Sequence, residues 1–75
     1  MTNIEALIED GGNVTLGAVG SLACVAAAAD QHNALAMLVR RDGERVTDLL
    51  ARLDVAIEKY IDTDEVTDEI NAPRV

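Results

Sequence analysis

Two side chains in this 75-residue chain are candidates for nucleophilic or metal chemistry, Cys24 and His32. A thiol needs a base within hydrogen-bond reach to become a nucleophile. Eight residues of continuous helix would hold the two about 12 Å apart, too far for such a pair. One cysteine and one histidine also fall short of the four Cys/His ligands of a structural zinc site, and a lone cysteine excludes an internal disulfide. His32 beside Asp30 and Asn33 could hold a metal only across a symmetric interface, and the cluster lacks a recognisable ligand spacing. The sequence has no Gly-rich phosphate loop, HExxH, Cys-x-x-Cys or Ser/His/Asp set. The expectation is a protein that is not an enzyme and uses no metal or cofactor.

Carboxylates are the abundant functional groups, fourteen against six Lys and Arg, for a net charge of −8. Asp54, Glu58 and Asp62 recur at i, i+4 and i+8, which stacks them about 6 Å apart on one helix face. Glu65 and Glu69 extend this acidic C-terminal third, where Lys59 and Arg74 are the only cations after residue 53. The five acids together form a candidate partner-binding face for a protein with a basic surface. DNA carries one charge per ~1.7 Å of axis, so the row imitates a phosphate backbone only sparsely. The same face could equally serve solubility alone. A net negative charge argues against direct binding to nucleic acid or anionic membrane, both of which attract basic patches.

The elements that must carry these groups read as helices. Thr2-Asn3-Ile4-Glu5 has capping-box spacing and opens a short N-terminal helix over residues 1–10, which Gly11-Gly12 ends. Val14, Leu16, Val19, Leu22, Val25 and the alanines to Ala29 form a stretch that is apolar nearly all round, as in a buried helix. It is somewhat shorter than the ~20 residues needed to span a bilayer. One helix over roughly 14–40 is expected, with a bend at Asp30–Asn33 left open and a turn at Asp42-Gly43. The clearest period follows: Val46, Leu49, Leu50, Leu53, Ala56, Ile57 and Tyr60, with Ile61, fill an arc of about 140° on a helical wheel. A break near Asp62-Thr63 leads to a short C-terminal helix capped by Thr63, and residues 72–75 are expected to be a disordered tail beginning around Pro73. The fold expected is one all-α domain over residues 1–75. Its antiparallel helical hairpin, roughly 14–40 and 43–61, would join an oligomeric helical bundle.

Self-association follows from the size of the core. Tyr60 is the only aromatic residue, and twelve alanines bury little surface each. Gly17, Gly20, Ala23 and Ala27, flanked by Leu16 and Val19, would let a second helix approach closely, so these six residues are the expected self-association surface of a homodimer. Glu5, Glu9 and Asp10 stand where a secretory signal would carry basic residues, and with the lone cysteine they point to the cytoplasm. The function expected is a non-catalytic, self-associating protein-protein interaction module. Its concrete form would be a small phage-type inhibitor, anti-defence or regulatory, whose acidic face blocks a nucleic-acid-binding protein. The alternative is a purely structural oligomerisation module.

Overall fold

Residues 13 to 39 are strands, and the reasons are local. Val14, Thr15, Val19, Val25 and Val39 carry branched Cβ atoms that favour extended backbone. Gly17 and Gly20 have φ of +148° and +57°, values foreign to a helix. Gly20-Ser21 joins Val19 to its partner Leu22 as a two-residue hairpin loop. Only the first of the two has positive φ, the pattern of the type II′ turn that matches strand twist. Asp30 does not cap a helix: its Oδ1 accepts the backbone N–H groups of His32 at 2.8 Å and Asn33 at 2.6 Å, which reverses the chain.

The structure, a computed structural model, describes residues 1–71. Its elements are α1 (Thr2–Glu9), β1 (Asn13–Val19), β2 (Leu22–Ala29), β3 (Ala34–Val39), α2 (Val46–Thr63) and β4 (Thr67–Asp68). The strands form one sheet in the order β1-β2-β3-β4. The first three are antiparallel neighbours, and β4 returns parallel to β3 after the α2 crossover. The all-α expectation is therefore overturned, and with it the hairpin over 14–40 and the helical bundle: this is an α+β fold.

The alanine run has a packing role in the sheet. Side chains alternate between faces along a strand, so Cys24, Ala26 and Ala28 point to one side of β2. Ala26, Ala28, Ala36 and Leu38 are almost fully buried in one cluster with Leu49, Leu53, Ala56 and Ile57 of α2 and Leu7 of α1. Small side chains on the sheet leave room for large ones on the helix, so the layers interdigitate with Tyr60 alone as an aromatic residue, packed partly buried against the cluster. Truncating Leu53 or Ile57 to alanine in such a core costs about 2–5 kcal/mol.

Helix α2 occupies the segment with the strongest period, and its Leu49, Leu53, Ala56 and Ile57 are buried while Val46 and Ile61 at its two ends stay exposed. The other end signals work differently from expectation. Met1, not Thr2, is the N-cap of α1, and no side chain of its own segment caps it. Thr63 ends α2 with its hydroxyl donating to the Lys59 carbonyl at 2.7 Å, and Asp64 follows in the left-handed region at φ 60°. The expected C-terminal helix is instead β4, whose Thr67 pairs with Ala36 and Asp68 with Met37. The expected tail, residues 72–75 with Pro73, lies outside the described residues.

Candidate interaction surface

The two edges of the sheet are treated differently. On the β3 side, β4 covers Ala36 and Met37, and the Glu69 N–H donates to the Met37 carbonyl at 2.8 Å. Where β4 stops, side chains continue the pairing. Glu69 Oε1 accepts the Val39 N–H at 2.9 Å, and Arg52 Nη2 donates to the Val39 carbonyl at 3.0 Å. Arg52 is held by a fork onto Glu44, Nε to Oε2 at 2.7 Å and Nη2 to Oε1 at 2.9 Å, with Nη1 on Glu69 at 3.0 Å. The Arg52 hydrogen bonds, with help from the Arg41 N–H, depress the Glu44 carboxyl from its ordinary 4.5 to about 2. In turn the Glu44 hydrogen bond raises the Arg52 guanidinium above its ordinary value. This edge is closed.

On the β1 side nothing comparable exists. Among the described residues, 13–19 make no hydrogen bond beyond their ladder with β2, so the outward N–H and C=O groups of β1 face solvent. Unpaired edges of this kind invite another strand, and proteins commonly blunt them with lysine, proline or inward charges. From Gly11 to Ala29 the sequence holds no charged residue and no proline. Leu16 and Val19 are 45% and 54% exposed there. One irregularity in the pairing, between Gly17 and Val19, ends the regular ladder and leaves 13–17 as its straight part.

Both helices pack on one face of the sheet, and among the described residues no helix covers the opposite face. Alternation places Ala23, Val25, Ala27 and Ala29 of β2 there, in register with Thr15 and Gly17 of β1 and with Met37 and Val39 of β3. These are small or apolar side chains; Ala23 and Thr15 are exposed and Ala27, Met37 and Val39 partly so, whereas Val25 is buried at 3% exposure.

The expected self-association residues thus fall in three places. Ala23, Ala27 and Gly17 share the bare face, Leu16 and Val19 belong to the β1 edge, and Gly20 forms the hairpin tip. None mediates close helix approach, because none lies in a helix, and the space around Gly17 and Gly20 is open.

The five acids do not form one face either. Asp54 is half-buried and accepts the Ile4 N–H at 2.8 Å and the Asn3 side-chain amide at 3.0 Å, while Glu58 takes the same amide at 3.1 Å. Burial pushes the Asp54 carboxyl up, but these donors outweigh it and hold it below its ordinary value. Glu65 pairs with Lys59 at 3.0 Å, and Glu69 is committed to the β3 edge. Asp62 is exposed beside Glu58 on the last turns of α2.

Cys24 sits half-buried on the helix side of β2, whereas His32 is exposed in the turn beyond the end of the same strand. Five residues of strand from Cys24 to Ala29 already span roughly 16 Å, so the two remain apart. Among the described residues no group of three or more His, Cys, Asp or Glu side chains is placed to hold a metal. A groove of about 410 Å³ between α2 and β4 has apolar walls from Leu38, Val55 and Ala56. Its charged lining residues Arg52, Glu69 and Lys59 are all engaged in ion pairs. Among the described residues no helix is long and apolar enough to cross a membrane. Comparison of the chain with protein-family models, curated proteins and solved structures finds no match.

Proposed function

We propose that the chain is a non-catalytic protein-protein interaction module that self-associates through the uncharged β1–β2 part of its sheet, which offers the open β1 edge and the adjoining uncovered face. One observation carries the reading. A charge-free run of nineteen residues, Gly11 to Ala29, forms the open edge and half of the bare face in a chain of net charge −8. Charges that keep the molecule soluble are kept away from this run, as an association surface requires, since desolvating unpaired charge is costly. Sedimentation equilibrium tests the reading: it predicts a dimer whose fraction rises with concentration, and a monomer at every concentration would refute it. A cytoplasmic setting belongs to the same reading.

A second reading concerns the far end of α2. Glu58, Asp62 and Glu65 stay exposed there, Lys59 offsets Glu65 alone, and α2 has no basic residue in its last turn to offset its own negative dipole end. That end would dock on a basic protein surface, and a small phage-type inhibitor of a nucleic-acid-binding protein is its concrete form, motivated by size and charge. Its test is binding of a polylysine probe to the native chain and to the triple variant Glu58→Gln, Asp62→Asn, Glu65→Gln. Loss of binding and of its salt dependence supports the idea, and unchanged affinity removes it.

A further inference from the structure

Resting on the self-association just proposed, we infer that two copies join edge to edge at β1. The two strands run antiparallel about a two-fold axis beside Thr15, making one continuous eight-stranded sheet. The open edge is self-complementary in three respects.

The first is register. The straight part of β1 is residues 13–17, bounded by the irregularity at Gly17. Antiparallel pairing centred on Thr15 sets Asn13 of each copy opposite Gly17 of the other, and Val14 opposite Leu16. All five residues then gain a partner, and no bulge falls inside the new ladder.

The second is side-chain chemistry. Val14 and Leu16 pair with Ala28 and Ala26, so they share the helix side of the sheet. In the joined sheet each Leu16, 45% exposed in the single chain, meets the Val14 of the other copy and extends the core across the axis. The two Thr15 residues meet on the other face, where a cross-strand threonine pair can exchange a hydroxyl hydrogen bond.

The third is charge. No Lys or Arg precedes Arg40 in the chain; Arg40, Arg41 and Arg45 are exposed between β3 and α2, at the end of the sheet where β1 finishes, interleaved with the exposed acids Asp42 and Asp48, while Glu44 is paired with Arg52. Glu9 and Asp10 precede the start of β1 at the opposite end, where α2 also delivers Asp62 and Asp64. An antiparallel pair sets the acidic end of each copy beside the end of the other where arginines balance the acids, and holds the two acidic α2 ends at opposite corners. A parallel pair would put like ends together. The surviving edge of each copy is the two-residue strand β4, too short to template a further strand, and beyond it Glu69 and Arg52 cap Val39 of β3, so growth stops at two.

The experiment compares the native chain with Leu16→Lys, which puts a charge on the edge, and Ala27→Lys, which puts one on the bare face. Sedimentation equilibrium is the readout, with circular dichroism confirming the fold. The expected result is a dimeric native chain, a dimer midpoint at least tenfold higher in Leu16→Lys, and little change in Ala27→Lys. A dimer that survives Leu16→Lys but not Ala27→Lys overturns edge pairing and leaves self-association standing. A native chain that is monomeric throughout overturns both. Should Leu16→Lys unfold, Thr15→Cys in a Cys24→Ser background decides. Cα atoms of directly opposed antiparallel residues lie about 4.5–5.5 Å apart, within disulfide range. Oxidised glutathione should then yield a covalent dimer at Thr15→Cys and none at a Ser21→Cys control, while equal yields at both positions would count against the register.

Discussion

Asp54, in the middle of α2, caps α1 from fifty residues away, its Oδ1 accepting the Ile4 N–H at 2.8 Å. Ile4 is the third residue of a helix whose own N-cap, Met1, offers no side-chain acceptor. An acidic side chain at that site satisfies an orphan N–H and meets the positive end of the helix dipole. The contact also ties α1 onto α2, so the first element of the chain depends on a residue that a periodic row of acids would assign to a partner.

Replacing Asp54 by alanine should destabilise the fold by about 1–2 kcal/mol, the usual cost of a lost cap. Urea unfolding measures the loss, and amide exchange at Ile4 localises it. Unchanged exchange at Ile4 would mean that the carboxylate is not the cap.

Arg52→Met should cost about 1–2 kcal/mol, at the low end for a broken charged network because the three side chains are partly exposed. Glu44 and Glu69 lose their counter-ion and the Val39 carbonyl its donor. Arg52→Lys should recover only part of this, since an ammonium cannot reproduce the fork. Faster amide exchange at Val39 in both variants is the accompanying sign.

Acid should weaken the fold through the same network. The Glu44 carboxyl lies near 2 when folded against an ordinary 4.5, so its stabilising contribution is complete above about 4.5 and disappears as pH falls through about 2. Asp30 and Asp68 are lowered by backbone N–H donors, and Asp54 is lowered despite its burial; all three act in the same sense. Urea midpoints between pH 4.5 and 2 should therefore fall less steeply in Glu44→Gln than in the native chain, and equal slopes would contradict the assignment.

Gly12 is the most crowded of the five glycines. A Cβ there would lie 2.8 Å from the Ala29 carbonyl oxygen and 2.5 Å from a Leu7 methyl. Gly12→Ala should accordingly destabilise by about 1–3 kcal/mol through overpacking. Thermal unfolding of this variant beside Gly43→Ala, which meets open space but a φ of +75°, separates crowding from backbone strain.

Much of this was legible in the residues and some was not. The α2 period, the stop at Gly11-Gly12 and the turn at Asp42-Gly43 announce themselves because each is local. Residues 14–29 defeat a periodic reading, since a run apolar at nearly every position fits a buried strand as well as a buried helix. Alanine's helix propensity then tips the balance the wrong way, and the tertiary demand for small side chains beneath Leu49 and Leu53 wins in the folded chain. Gly20-Ser21 between two apolar runs was the available signal, being a two-residue hairpin pair. The two-residue strand β4 carries no pattern of its own, and the roles of Glu44, Arg52 and Glu69 exist only once β3 and α2 are side by side. The six small and apolar residues expected to mediate association fall on the β1 edge, the face opposite the helices and the hairpin tip, and the geometry assigned to them, helix against helix, belonged to another fold.

Amide hydrogen exchange of residues 13–17, recorded on dilute and concentrated native protein, bears most directly on the open edge. Edge pairing predicts that the solvent-facing amides of β1 slow as concentration rises while those of the β2–β3 ladder stay constant. Exchange in β1 that is fast and independent of concentration, in a sample shown to be dimeric by sedimentation, would contradict it.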